Sequence, residues 1–407
     1  MPATDSAMRF ENPDDAIEAL AKRLKRPSDT EACGNPLGRV LAKPIVADRD
    51  SPAANVSAMD GYAVRLADLV AGQVFPVTAQ CTPGSETPPL GTMPVVQIFT
   101  GAVVPDDFDT VIKREDTIET EGQVQFPAKT LQTLSRGDNI RLAGENAPAG
   151  SEVLAGGLKI HAAAMAGLAN FGVTDATVYR QVRIAIFTTG DEVVPPETSQ
   201  LEPWQLRNSN QVALAAMLSQ EPSVTVTTVR HREDDRAALE ETMAAAVAEN
   251  DTVVMTGGVS KGDYDYVPEV IETVGGTRVF HGLPIRPGKP ILGATTETGK
   301  LILGLPGNPV SATINCHRFL LPLLRYQSGQ SEWADRPAMI ELTQPPRKSI
   351  PLHAMLLVRR FDGGKAELVA SKGSGDLVAL SNSDGYVSVP PSEQHVGPWP
   401  FFPWNGG

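Results

Sequence analysis

Three short segments combine glycine with hydroxyl, amide or carboxylate side chains: Thr188-Thr189-Gly190-Asp191-Glu192, Thr256-Gly257-Gly258-Val259-Ser260 and Leu305-Pro306-Gly307-Asn308-Pro309. Glycine lets a backbone approach a ligand closely, and the free N–H groups of a following helix favour anions. One such segment reads equally well as a plain strand-to-helix turn, but three in one sheet point to a shared crevice. The chain lacks Gly-x-x-x-x-Gly-Lys-Ser/Thr, so the pattern is not a standard P-loop. Ile285-Arg286-Pro287-Gly288-Lys289-Pro290 adds two cations in a stiff Pro/Gly frame, suited to an anion site fixed before it is filled. A surface loop would look similar. Glu192, Asp263 and Asp265 supply carboxylates on loops of the same region, the hard oxygen ligands that Mg²⁺ takes beside phosphate. Ser57-Ala58-Met59-Asp60-Gly61-Tyr62 and Thr100-Gly101-Ala102 set Asp60 among small apolar residues, as a placed carboxylate would be. Cys316 and His317 are neighbours without a second Cys/His pair at ligand spacing. They read as core packing and a helix-surface imidazole, not as a metal site.

The elements that must position these residues follow from hydrophobic pattern. Asn12 can cap a helix that begins at Pro13 and buries Ile17, Leu20, Ala21 and Leu24 on one face. From Ser51 to about Asn146, short apolar runs broken by Pro and Gly (Phe75 to Ala79, Val95 to Phe99, Val111 to Arg114) suit a small β-rich module. Gly150 to Gly172 reads as a tightly packed helix leading out of it. The nearly continuous apolar run at Val182 to Phe187 suits a strand buried on both faces. Then come a helix from Ser209 to Leu218, a strand from Ser223 to Val229, a helix from Asp234 to Glu249 and a strand from Asp251 to Met255. A helix from Tyr266 to Val274, a strand at Leu301 to Leu303 and a helix starting near Pro309 complete the region. Alternation of this kind predicts a parallel sheet covered by helices on both faces. After Gly329 the helical pattern stops, and Met355 to Val358, Ala366 to Ala370 and Tyr386 to Val389 suit a small β-barrel or sandwich.

Composition sets the outer bounds. A chain of 407 residues allows two to four domains. With 35 Lys+Arg against 48 Asp+Glu the net charge is −13, which argues against nucleic-acid or anionic-membrane partners but leaves room for a small anion held locally. The stretch from Ile160 to Thr174 is too short and too rich in Ala and Gly to span a bilayer. Met1 to Glu18 has acidic residues and no apolar signal core, so no export signal is expected. Three scattered cysteines, Cys33, Cys81 and Cys316, fit a reducing cytoplasm.

These motifs, in this order and over essentially the whole chain, resemble the molybdopterin molybdenumtransferases, the MoeA family that includes the E-domain of gephyrin. The resemblance rests on Ser57-Ala58-Met59-Asp60-Gly61-Tyr62-Ala63-Val64, Gly257-Gly258-Val259-Ser260, and Pro287-Gly288-Lys289-Pro290 with Leu305-Pro306-Gly307-Asn308-Pro309. It implies a multi-domain α/β plus β fold. A discontinuous elongated domain would take residues 1–50 and 147–180, and a β-rich insertion 51–146. A three-layer α/β molybdopterin-binding domain with a mostly parallel sheet would take 181–329, and a C-terminal β-barrel 330–407. It also implies a homodimer, with the active site between the α/β domain of one subunit and the insertion of the other. The molybdopterin adenylyltransferase and molybdoenzyme maturation proteins are the protein partners it implies.

The reaction so implied inserts molybdate into adenylated molybdopterin, releasing AMP and the molybdenum cofactor. Carried over residue by residue, Asp60, Thr100, Arg141, Glu192, Asp235 and Asp265 match catalytically important polar positions, with Asp60, Glu192 and Asp265 on Mg²⁺. Arg286 and Lys289 match the family's anion segment, and Arg359 and Ser374 its remaining oxyanion contacts. Thr189, Gly190, Gly257, Gly258, Ser260 and Asn308 would line the pterin-nucleotide cleft. No protein nucleophile is required. The chain departs from the family at Asn146 (usually Asp), Lys261 (usually small and apolar) and Arg286 (more commonly Lys). A binding or scaffold paralogue and a phosphoanhydride hydrolase are the competing readings, and AMP release with and without molybdate separates all three.

Overall fold

The structure is a computed structural model that describes residues 7–232, 235–260, 265–361 and 363–404. The chain divides into two compact units, one of residues 44–155 and 163–174, the other of residues up to 43, 156–162 and from 175 onward.

In the smaller unit, Gly61–Val64 is a fully buried strand flanked antiparallel by Val95–Ile98 and Thr110–Lys113, with Gln80–Cys81 at the edge of the same sheet. Gly61 has no room for a side chain, because a Cβ there would lie 1.9 Å from the Ile112 carbonyl oxygen. Val74–Pro76, Ile118–Thr120 and Gln123–Gln125 form a second small sheet. Tyr62, Phe75, Val95, Ile112 and Phe126 pack into one apolar cluster. The expected long helix from Gly150 is shorter than its composition suggests. Gly150 and Gly157 take left-handed backbone (φ 80° and 82°), Glu152–Leu154 pairs with Ile45–Val46, and only Ala162–Asn170 is helical. Ala164 and Leu168 alone are buried in that helix, so it is not tightly packed.

The larger unit is built on a six-stranded sheet. Its strands are β1 (Val182–Thr189), β2 (Val224–Arg232), β3 (Thr252–Thr256), β4 (Gly276–His281), β5 (Leu292–Thr296) and β6 (Leu301–Leu305). The order is β2-β1-β3-β6-β5-β4. The first four strands in that order are parallel, while β5 and β4 add antiparallel at one edge. That hairpin was not legible as strands in the sequence. Helices Ser209–Ser219 and Pro309–Asn315 lie in one apolar cluster with β1 and β6, and Arg236–Glu249 and Val267–Thr273 in another, so both faces are covered. The expected helix at Pro13 is present as Pro13–Ala21, with the Asn12 side chain accepting from the Asp14 N–H at 3.0 Å. Its buried Ala16, Ile17 and Leu20 join the first of these clusters.

Beyond Gly329, strands Ala338–Leu342, His353–Phe361, Lys365–Leu368, Gly385–Val389 and Trp399–Pro403 close into a five-stranded barrel. One short helix, Leu377–Ser381, interrupts the β pattern, with the Asp376 carboxylate accepting from the Ala379 N–H. Ile285–Arg286 pairs in parallel with His353 and Ala354, tying the dibasic segment to the barrel. Among the described residues no helix is long and apolar enough to cross a membrane.

Candidate functional site

The three glycine-rich turns follow directly on β1, β3 and β6, at the carboxyl ends of parallel strands where α/β sheets bind ligands. They touch. The Gly257 N–H donates to the Leu305 carbonyl at 3.2 Å, and a Cβ on Gly307 would come 3.6 Å from the Gly257 Cα. A Cβ on Gly257 would lie 2.6 Å from Thr189 Oγ1 and 2.9 Å from the Thr189 carbonyl oxygen. Gly257 and Gly258 also take φ of +94° and +64°, where side chains are strained. Glycine here serves both backbone conformation and close approach, so the turns meet around Gly257.

Several polar atoms near this meeting point have no partner. Thr189 Oγ1, Asn210 Oδ1 and Arg232 Nε are buried without a hydrogen bond. Orphaned buried polar atoms cost free energy and are rare unless something else binds them. Asn210 spans two turns, its Nδ2 donating to Thr256 Oγ1 at 3.3 Å and to the Gly307 carbonyl at 2.8 Å. Arg232 ends β2, in register with Thr189. The sequence pattern marks neither residue. Arg232 sits in a polar run, and only the parallel register puts it beside the first turn.

Of the carried-over residues, Thr189 is buried, while Asn308, Glu192 and Ser260 are exposed at the crevice. The Glu192 carboxylate folds over Gly190, with Oε2 2.7 Å from where a Cβ would be. Asp265 is half-buried, two residues before the helix Val267–Thr273. Asp263 and Lys261 lie outside the described residues, as does Asp234. Asp235 is held locally, its carboxylate accepting from the Ala238 N–H at 2.7 Å as the cap of Arg236–Glu249.

The dibasic segment is braced from below. A Cβ on Gly288 would lie 2.4 Å from Asn315 Nδ2, and that fully buried amide donates to the Gly288 carbonyl at 3.1 Å. Arg286 and Lys289 project exposed from this rigid turn. Ser374 lies beside the third turn, its carbonyl accepting from the Val310 N–H at 2.9 Å. Arg359 is exposed on the barrel, 3.7 Å from Glu367.

In the smaller unit, Asp60 and Thr100 come together. The exposed Asp60 carboxylate accepts from the Thr100 N–H at 2.8 Å and from its hydroxyl at 2.7 Å, which holds it below the usual carboxylate range. Arg141 donates to Glu145 and, at 2.8 Å, to Asn146 Oδ1, so the amide at 146 keeps the hydrogen bond without a charge. Among the described residues no group of three or more His, Cys, Asp or Glu side chains converges to hold a metal ion. His317 is not on a helix surface but packs between Tyr386 and Trp404, while Cys316 is buried in the core.

An α/β sheet with anion-ready turns at its carboxyl edge, joined to a β-barrel and a β-rich unit, defines the class of protein. Residues 12–172 match the MoeA N-terminal region (domains I and II), and 185–326 match a probable molybdopterin-binding domain. The molybdopterin molybdenumtransferase of Nostoc sp. is 33% identical over 378 residues, covering 88% of this chain and 84% of that protein. That of Haemophilus influenzae is 31% identical, covering 80% and 79%. A crystal structure of the molybdopterin biosynthesis MoeA protein from Pyrococcus horikosii superposes with a TM-score of 0.77 at 26% identity, over 99% of this chain and 100% of that one. The chain belongs to the molybdopterin molybdenumtransferase family, and its role lies in molybdenum cofactor biosynthesis.

Proposed function

We propose that the protein inserts molybdate into adenylated molybdopterin, releasing AMP. The observation that carries this reading is the contact of three glycine turns around Gly257, with Thr189 Oγ1, Asn210 Oδ1 and Arg232 Nε left without partners. Thr189, Gly190, Gly257, Gly258, Ser260 and Asn308 would then accept the pterin nucleotide. Arg286 and Lys289 would hold molybdate, a tetrahedral dianion, by charge-assisted hydrogen bonds, with Arg359 and Ser374 as further contacts. Arg141 and Asp235 act as positioning residues, since both are engaged locally.

Glu192 and Asp265, with Asp60 from the other subunit of the proposed homodimer, are hard oxygen donors of the kind that suit Mg²⁺ together with water and substrate phosphate. Mg²⁺ bound there would offset the charge of the phosphoanhydride. The Thr100 hydrogen bonds keep Asp60 ionised for that task. A homodimer and a cytoplasmic location complete the reading, the latter supported by three unpaired cysteines.

The test is AMP release from adenylated molybdopterin by the purified protein. Release that depends on molybdate is expected, and Lys289→Ala should lower it at least tenfold while the fold persists, because an exposed loop cation contributes little to stability. Release indifferent to molybdate would make the protein a hydrolase. Binding without release would make it a scaffold.

A further inference from the structure

The sheet has a second polar cleft at its opposite end. It encloses about 540 Å³. The three strands that end in the glycine turns all begin here: Val182 and Arg183 open β1, Asp251 precedes β3, and Gly299 and Lys300 lead into β6. Five cations and three acids line it, in a chain whose net charge is −13.

Of the three acids, Asp251 and Asp29 are engaged by Arg180, while the exposed Glu249 carboxylate is not, which leaves the lining with a net excess of two cations. Arg180 grips Asp251 through two bonds of 2.7 and 2.8 Å and reaches Asp29 at 3.3 Å, and the Arg183 N–H donates to Asp251 at 2.8 Å. Two of the cations are also committed, Lys300 to the Val247 and Ala248 carbonyls and Arg26 to the Gln330 carbonyl. Lys25 and Arg183 are left. Both line the cleft, both are exposed, and among the described residues neither side chain has an ion-pair or hydrogen-bond partner. Ser28 and Thr298 also line the cleft, their hydroxyls engaged with Asp29 and Thr296. No aromatic side chain lines the cleft, so nothing in it would stack on a nucleobase.

We propose that this cleft is a second anion site, which takes a small phosphate-bearing ligand on Lys25 and Arg183. Two cations without partners, beside an Arg–carboxylate pair in the same lining, favour a multiply charged phosphate group such as pyrophosphate over a single monovalent ion. The site is distinct from the glycine turns, because its walls are the starts and not the ends of the strands. A ligand there would favour the folded sheet by mass action, so its occupancy should raise the melting temperature.

The experiment is calorimetric titration of the full chain with inorganic pyrophosphate at low salt, on wild type, Lys289→Ala and the Lys25→Ala/Arg183→Ala double variant. Wild type should bind at this cleft, with affinity falling as salt rises. Lys289→Ala should keep that binding. The double variant should lose it at least tenfold while retaining molybdate-dependent AMP release, and Arg183→Lys should restore part of it. Circular dichroism checks its fold, and Arg183→Gln alone should show the same loss in smaller measure. Absence of binding to wild type overturns the proposal. So does binding that survives the double variant and disappears in Lys289→Ala, since pyrophosphate would then occupy the glycine-turn crevice only. AMP release without molybdate would unseat the transferase reading and leave this result untouched.

Discussion

Thr189 separates function from stability at a single atom. Its side chain is 7% exposed and its hydroxyl oxygen is buried without a partner, facing the glycine of the second turn. A hydroxyl kept there for folding alone would have a hydrogen bond, because leaving it unmade costs about 1–3 kcal/mol. Thr189→Val should therefore leave stability unchanged or raise it by about 1 kcal/mol, while AMP release falls at least tenfold. Denaturant melts and the release assay on the same preparation read both effects. Undiminished release would remove Thr189 from the site. Sequence made this residue visible because it adjoins a glycine after an apolar strand. Asn210, Arg232 and Asn315 were invisible for a different reason. Asn210 acts through Gly307, Asn315 through Gly288, and Arg232 lies beside Thr189 only by strand register, and such pairings exist only once the sheet has formed. Asp235 shows the converse case, since an acid at a helix start is also the ordinary cap.

At the scale of elements, the parallel core was legible because buried β-branched runs alternate with Ala- and Leu-rich helices. The β4–β5 hairpin was not. Its Gly276, Gly282 and Gly293 dilute the strand pattern, and Gly293 is glycine because a Cβ there would lie 2.7 Å from the Phe280 ring. The chain from Pro309 to Gln327 also departs from a plain helix through a π turn at Cys316–Leu320. That turn carries His317 against the barrel, 3.2 Å from the Tyr386 hydroxyl and edge-on to Trp404. Burial pushes its imidazole below the ordinary value, with Arg325 and Arg318 acting in the same direction and Asp335 opposing them. His353, also partly buried, is pushed down for the same reason. A depressed imidazole favours the folded state above the ordinary value of about 6.5, and that contribution fades as pH falls through and below it. Stability should thus decline between about pH 7 and pH 5, and His317→Gln should flatten the decline. Denaturant midpoints at pH 7.5 and 5.5 measure it. An equal decline in the variant would mean that other groups set the slope.

At the scale of the whole molecule, the proposed acids are divided between the two compact units. Asp60 is in the smaller one and Glu192 and Asp265 are in the larger. Family resemblance assigns the three to one reaction and the protein to a homodimer in which Asp60 serves the other subunit's crevice. Only the resemblance suggests that arrangement, since spacing along a chain says nothing of which copy a residue serves. Complementation reads it directly. Asp60→Asn and Asp265→Asn should each abolish AMP release, because an amide does not replace a carboxylate near Mg²⁺. Co-expressed with different tags and purified as the heterodimer, the two variants should regain activity, since a symmetric dimer has two equivalent sites and one of them would then hold both native carboxylates. About half of the wild-type rate per heterodimer is the ceiling by counting sites. A verified heterodimer that stays inactive would place Asp60 with its own chain's crevice, or limit it to holding Thr100.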